Sequence, residues 1–430
     1  MARLRTKALL LVAFFLCVTV GAPPASLASE EVVKIGFNYP ETGPYALQGV
    51  DQFRGAQMAI EEINGLGGIL GKKIEMVKRN SESKPDVSVA NVTELLDKEG
   101  VKMIFGGASS GVAVAVSELA QDKGVVFMAT VTASNATTGE KGHRHTFRVC
   151  YNAWMGAKAL SAYLNRHRIG KKYFYVTADY TWGWSSEESI RRFTKTLDNS
   201  SHKSVLVPFP GADEKKFRWA LGSAKLAKPD VLVLVLFGDD MATAIRMATE
   251  MGLKDEMAIV VPVLELGLAE KSGPEAMAGV MGTSDWNWQV PYEYDYEKGK
   301  AFVEKFVNRH KRYPCWGAAT AYTNLYQYKD AVERAKTFDS PSVIKALENH
   351  EFTLLKDKAR WRDFDHQLVQ SVYVVRCKPE ADVLKNEFRL DYFEVLSSFP
   401  GDEMVQTREE WNARRTKAGL PTHYEKLPGE

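Results

Sequence analysis

From residue 32 onward, short runs of β-branched and aromatic residues alternate with longer segments whose apolar positions recur at helical spacing. VVKIGFN predicts a strand, QFRGAQMAIEEINGL a helix, KIEMVKRN a strand and PDVSVANVTELLDKEG a helix. VKMIFGG, GVAVAVSELAQDKG and VVFMAT continue as strand, helix and strand. Repeated strand–helix order implies a parallel sheet covered by helices on both faces. After HTFRVCYNAW the pattern restarts. GAKALSAYLNRHRIG, SSEESIRRFTKTLDN, EKKFRWALGSAKLAKP and DDMATAIRMATEMGL predict helices, interleaved with the strands KKYFYVTAD, HKSVLVPFP, DVLVLVLF and MAIVVPV. Two comparable α/β sets argue for two lobes. AGVMGTSDW predicts a strand that returns the chain to the first lobe, EKGKAFVEKFVNRHKRYP and WGAATAYTNLYQYKDAVERA predict helices, and VQSVYVVRCK and YFEVLSSFP predict strands or edges. The polar stretch EEWNARRTKAGLPTHYEKLPGE is expected to wrap the surface or stay partly disordered.

The opening MARLRTKALLLVAFFLCVTVGAPPASLASEEVVK has the layout of a secretory leader: three basic residues, an unbroken apolar run, then small residues at Ser26 and Ala28. The apolar run is short for a bilayer span, so residues 1–28 are expected to be removed and the remainder exported. Cleavage takes away three of the 56 basic residues and none of the 54 acidic ones, which leaves a nearly neutral chain. No block of like charge marks a nucleic-acid or anionic-membrane footprint. Cys150, Cys315 and Cys377 remain, and an oxidising compartment permits a bridge between an unspecified pair. The scattered histidines, including His143 and His145, and the absence of CxxC or HExxH argue against a metal site.

The junction NYPETGPYALQGVDQF carries Gly43 and Gly49 without a following Lys-Ser or Lys-Thr, so it is neither a phosphate loop nor a dinucleotide fingerprint. It nonetheless lies at the carboxyl end of the first strand, where α/β sheets receive ligands, and offers Tyr45 to a cleft. By the same rule FGGASSG brings Ser109 and Ser110 to a helix start that suits an anionic head group or, equally, an N-cap. MATVTASNATTG adds Thr130, Thr132, Ala133 and Ser134. TADYTWGWSSEES presents Tyr180, Trp182 and Trp184 beyond a strand, where stacking is a natural role. Phe237, Asp239 and Asp240 end the most hydrophobic strand, and Glu265 ends the next, as a partner for an ammonium or as a helix cap.

Taken together, TGPYALQGVDQFRGAQMAIEEINGLGGILGKKIEMV, DKEGVKMIFGGASSG, DYTWGWS, LFGDD and FVNRHKRYP…AYTNLYQYKDAV resemble the periplasmic solute-binding proteins of ABC transporters that handle branched-chain amino acids, amides and related acids. The resemblance implies the type I two-lobed fold: α/β, each lobe a mainly parallel sheet flanked by helices, joined by a three-crossover hinge near 150–152, 282–284 and 364–366. Lobe I is then 29–149 plus 284–363, lobe II 150–283 plus 364–382, with 383–430 as an extension of unassigned packing. It also implies a head-group site at Ser109 or Ser110 and at Thr130, Thr132, Ala133 and Ser134. Tyr45, Tyr151, Trp182 and Phe237 become ligand neighbours, and Glu265 the acceptor of an amino group with Asp239 beside it. FMATVTASN departs from the family's Ser-Pro-containing turn, and the loops are rich in aromatic rings, so the expected ligand is a carboxylate or amide with an apolar or aromatic tail. The implied protein is a monomer without cofactor that feeds an inner-membrane ABC permease when closed. Two other classes stand beside it: a ligand sensor for a membrane receptor, and an exported hydrolase or amidase, which would need a nucleophile with its base, and no His accompanies Ser109 or Cys150 in a recognisable order.

Overall fold

The computed structural model describes residues 31–430; the leader reading at 1–28 lies outside them. Five strands, β1 (Val32–Tyr39), β2 (Lys73–Asn80), β3 (Met103–Gly106), β4 (Val126–Ala129) and β5 (Thr146–Arg148), form an all-parallel sheet in the order β2-β1-β3-β4-β5. The next five, β6 (Tyr173–Ala178), β7 (Ser204–Val207), β8 (Val231–Val235), β9 (Ala258–Val261) and β10 (Met281–Ser284), pair in parallel in a second sheet. A small antiparallel sheet of β11 (Glu351–Phe352), β12 (Ala359–Trp361) and β13 (Leu368–Val369) follows. Finally β14 (Val372–Cys377) and β15 (Phe393–Phe399) add to the second sheet antiparallel, giving β15-β14-β10-β9-β8-β6-β7. β8 is VLVLV with every residue buried, the unbroken apolar run expected of a central strand covered on both faces.

AGVMGTSDW does not itself return to the first lobe. β10 pairs with β9 inside the second sheet, and the return begins at Asp285, beyond the strand's last residue. Helix Trp316–Ala335 then packs against the first sheet along helix Ala46–Gly65, and helix Glu297–His310 pairs Lys305 and Arg309 with Glu62 and Glu61 of that same helix. That helix pair is very close: a Cβ on Gly55 would stand 2.2 Å from the Ala318 carbonyl oxygen, so only glycine fits. The chain thus passes between the sheets after β5, after β10 and at β13–β14. One carboxylate ties the three passages. Asp285 Oδ2 accepts from the Tyr151 backbone N–H and from Gln370 Nε2, each at 2.9 Å, while Gln370 Nε2 also reaches the Val149 carbonyl at 2.7 Å.

The C-terminal segment is ordered, contrary to its polar composition. Helix Arg408–Lys417 opens with a capping box between Thr407 and Glu410 and buries Trp411 completely. Trp411 Nε1 and the Tyr424 hydroxyl each donate to the Thr138 carbonyl at 2.8 Å, and Arg415 Nη1 donates to Gly139 O at 2.9 Å. A few aromatic anchors among many charges carry no periodic signal, which is why the segment looked unstructured. Cys150, Cys315 and Cys377 are all buried free thiols, so no pair among them is bridged. Replacing Trp411 with alanine is expected to destabilise the protein by about 3–5 kcal/mol, measured as a lower urea midpoint with secondary structure retained in far-UV circular dichroism.

Candidate ligand-binding cleft

Loops at the carboxyl ends of the parallel strands of both sheets converge on one small cavity of about 10 Å³. Its wall is Ala108, Ser110, Val131 and Ala133 from the first lobe, Tyr180, Trp182, Phe237 and Val263 from the second, and Trp316 at the start of its helix. Among the described residues no charged side chain lines it. Ser110 opens helix Ser110–Lys123, whose first N–H groups lack intrahelical partners and favour an anion or a polar head. Its hydroxyl accepts the Ser134 backbone N–H at 3.1 Å, which couples the helix start to the loop beyond β4.

That loop owes its shape to a buried arginine. Arg148, fully inaccessible, donates from Nε to Gln367 Oε1 at 2.7 Å, from Nη2 to Thr138 Oγ1 at 2.7 Å and from Nη1 to the carbonyls of Thr132 and Ser134. Gathering those carbonyls turns Ala133 and Val131 towards the cavity. Burial lowers the affinity of Arg148 for its proton.

An aromatic cluster joins the lobes beside the cavity. The Tyr45 and Tyr180 hydroxyls are 2.8 Å apart, and the Phe209 ring stacks on both, 5.4 Å from Tyr45 and 4.1 Å from Tyr180. Phe237 meets Tyr45 edge-on at 5.3 Å and Trp182 at 6.1 Å. Ser134 Oγ bridges to Thr181 Oγ1 at 2.9 Å and Ser185 Oγ at 3.0 Å, and Asn135 Nδ2 donates to Ser189 Oγ at 3.0 Å. The lobes are therefore closed on one another.

The structure brings Ser110, Ala133, Trp182 and Phe237 to the cavity wall, with Tyr45 behind them in the aromatic cluster. Other expected residues have different work. Ser109 is the N-cap residue of its helix, with no side-chain cap bond. Thr130 Oγ1 lies 2.6 Å from Gln52 Oε1 and 2.7 Å from Gly107 O, so its hydroxyl is engaged within the lobe. Thr132 is buried behind the loop, and Ser134 spans the lobes rather than facing the cavity. Tyr151 belongs to the hinge: its hydroxyl donates to Thr283 O at 2.8 Å. Asp239 is half exposed and paired with Lys271. Glu265 caps helix Leu266–Ser272 through Gly267 N at 2.8 Å and Leu268 N at 2.7 Å, and accepts Gln48 Nε2 from the other lobe at 2.8 Å.

Sequence reasoning missed Trp316, Phe209 and Gln48. Phe209 follows β7 and obeys the same strand-end rule as its neighbours, so that rule could have found it. Trp316 arrives from a helix far along the chain, and no local signal marks it.

The periplasmic binding protein family matches residues 32–382. The chain belongs to that family. Among its relatives, Leu/Ile/Val-binding protein homolog 1 of Brucella abortus is 28% identical over 253 residues, 58% of this chain and 66% of the relative, just under two thirds of its length. A solved periplasmic binding protein from Burkholderia mallei has a TM-score of 0.80 at 24% identity, covering 88% of this chain and 98% of that one. The solute binding protein of an ABC transporter from Rhodopseudomonas palustris, solved with 3,4-dihydroxybenzoic acid, has a TM-score of 0.75 at 19% identity, covering 86% and 98%. These likenesses show the two-lobed type I fold, and the matching family is one of binding proteins.

Two expectations for this periplasmic binding protein follow from the closed cleft. Gly238, at φ +60°, would place a Cβ 2.5 Å from the Pro44 carbonyl oxygen and 2.7 Å from the Tyr45 ring across the lobe boundary. Gly238→Ala should therefore favour the open form, seen as an increased radius of gyration in small-angle X-ray scattering. The second concerns acidity. Burial pushes the Glu265 carboxyl up to about 7, against the pull of Gln48 and two backbone N–H groups. Since this lies above the ordinary value of 4.5, the stability contributed by neutral Glu265 is full below that pH and lost as pH rises through about 7. The stability difference between wild type and Glu265→Gln should fall by about 3 kcal/mol across this window, measured by urea unfolding at a series of pH values.

Proposed function

We propose that this periplasmic binding protein is the exported solute receptor of an ABC uptake transporter, acting as a monomer in the periplasm after loss of its leader. Its solute is a small molecule with one carboxylate or amide head and an apolar or aromatic body. The observation that carries this reading is the inter-lobe cavity, walled by Trp182, Phe237, Tyr180 and Trp316, with Ser110 at a helix start as its polar end. Ligand sites of this type pair an apolar wall with a few placed polar groups.

The head group meets Ser110 and the N–H groups of its helix on the first lobe. The second lobe then brings Trp182 and Phe237 over the body, and closure excludes water and strengthens the polar contacts. Solute favours the closed form because only there does it touch both walls, which is a population shift set by differential affinity. The closed surface, composed from both lobes, is what a permease recognises. The dihydroxybenzoate complex of the Rhodopseudomonas relative supports the solute class by likeness of fold.

A thermal-shift screen of ligand-stripped protein against aliphatic acids, aromatic acids, amides and amino acids tests the reading. Solute at a hundredfold Kd should add about 2.7 kcal/mol of stability, with the shift confined to one chemical class. Trp182→Ala should weaken that solute's binding by about tenfold or more, equivalent to about 1.4 kcal/mol. An unchanged affinity would sink the proposed aromatic wall.

A further inference from the structure

The family match ends at residue 382, and the segment 383–430 lies beyond it. It starts in the second lobe: β15 pairs with β14, and helix Gly401–Met404 packs on helix Ala153–Arg166, which itself lies against β10 and β14. It ends in the first. Trp411, Arg415 and Tyr424 hold the carbonyls of Thr138 and Gly139, Glu425 Oε1 lies 2.7 Å from His143 Nδ1, and Glu425 Oε2 accepts the Arg144 backbone N–H at 3.1 Å. Residues 138–144 join β4 to β5 of the first sheet. The chain therefore passes from lobe to lobe a fourth time.

That fourth passage is short and lies against the third. Met404, on the second-lobe side, is buried, and Arg362 Nη1 donates to the Gln406 carbonyl. Arg362 follows Trp361, whose Nε1 donates to Gln327 of helix Trp316–Ala335 at 3.2 Å, so Gln406 is already held on the first-lobe side. Val405 alone separates the two anchors, and one residue spans about 3.6 Å at most. At Gly401 a Cβ would stand 2.5 Å from both the backbone N and the carbonyl oxygen of Gln370, the residue whose amide ties the third passage to Asp285 and Val149. A hinge opens by changing φ and ψ at a few such residues. Gln370 cannot turn without pushing Gly401 with it.

Farther along, Arg414 spans the lobes: Nη1 lies 3.2 Å from Glu140 of the first and Nη2 3.7 Å from Glu188 of the second. Glu188 is more than half exposed, so this pair is screened and worth little by itself. A cavity of about 590 Å³ lies between helix Arg408–Lys417 and the second-lobe residues Trp154 and Arg192. The helix is thus fastened to the first lobe and merely bridged to the second, and the restraint on opening resides in the passage. We propose that segment 383–430 is a strap: crossing from the second lobe to the first beside the hinge, it limits how far the lobes part and keeps the solute-free protein near its closed form. This takes from the proposed function only that the lobes open and close about the hinge, and it holds for any solute.

The test measures the separation of the lobes without solute, by pulsed electron–electron double resonance between nitroxides on Asp86→Cys and Lys215→Cys. Both positions are exposed, at the starts of helix Pro85–Asp97 in the first lobe and helix Glu214–Ala227 in the second, and the three native thiols are buried. The strap is loosened by a flexible glycine-serine segment inserted between Val405 and Gln406, with and without Gly238→Ala, which pushes the lobes apart from the cleft. The wild-type strap should give one short distance and Gly238→Ala a modestly longer one. The insertion should add a longer-distance population, and the insertion with Gly238→Ala the longest. Opening by Gly238→Ala that is the same with and without the insertion overturns the strap while leaving the hinge intact. No lengthening in any variant overturns the hinge reading and the strap with it. Hydrogen exchange in the central strand β8 should stay as slow as in the wild type. If it quickens alongside the longer distance, the insertion has loosened the whole fold and the inference falls.

Discussion

The two lobes keep a defined relation because one buried carboxylate holds the three chain passages together. Asp285 lies on the second passage, takes the Tyr151 N–H from the first and the Gln370 amide from the third, and its carbonyl receives Lys356 Nζ. Burial pushes its carboxyl up to about 6, while Lys356 draws it down. A group so placed ties together the segments that join the sheets, whose loops meet at the cleft through Tyr45 with Tyr180 and Gln48 with Glu265.

The sheets were legible in the chain because their strands are short apolar runs separated by amphipathic helices. β8 and β1 show this plainly, and the break at HTFRVCYNAW coincides with the passage after β5. The destination of later elements was not legible, since it depends on pairing over long sequence separations. β10 joins β9, whereas helix Trp316–Ala335, which follows it, packs against the other sheet, and no periodicity distinguishes those outcomes. The C-terminal helix was hidden for another reason: one Trp411 among charged neighbours is enough to bury a helix when its indole N–H finds the Thr138 carbonyl.

At the cleft, the strand-end rule selected the loops well and the individual side chains less well. Trp182 and Phe237 face the cavity because a loop leaving a strand must present something outward. Whether a hydroxyl or carboxylate in such a loop faces a solute or satisfies its own backbone is decided by neighbours that sequence does not reveal. Arg148 turns the carbonyls of Thr132 and Ser134 inward, and Gln48 covers Glu265 from the other lobe. Both partners are distant in the chain from the residues they control.

The interleaved topology also sets an order of assembly. The five strands of the first sheet are complete by Arg148, yet helix Trp316–Ala335, which packs along helix Ala46–Gly65 and against β3, comes far later, and the second sheet waits for β15 near the end of the chain. The last helix then seats against Thr138, in a loop made long before. Neither lobe is a self-sufficient folding unit, and contacts of such long range are slow to form and leave apolar surface bare meanwhile. The order in which a ribosome supplies this chain and the order in which its parts can be finished run against each other, so a nascent fragment has no completed lobe to fall into.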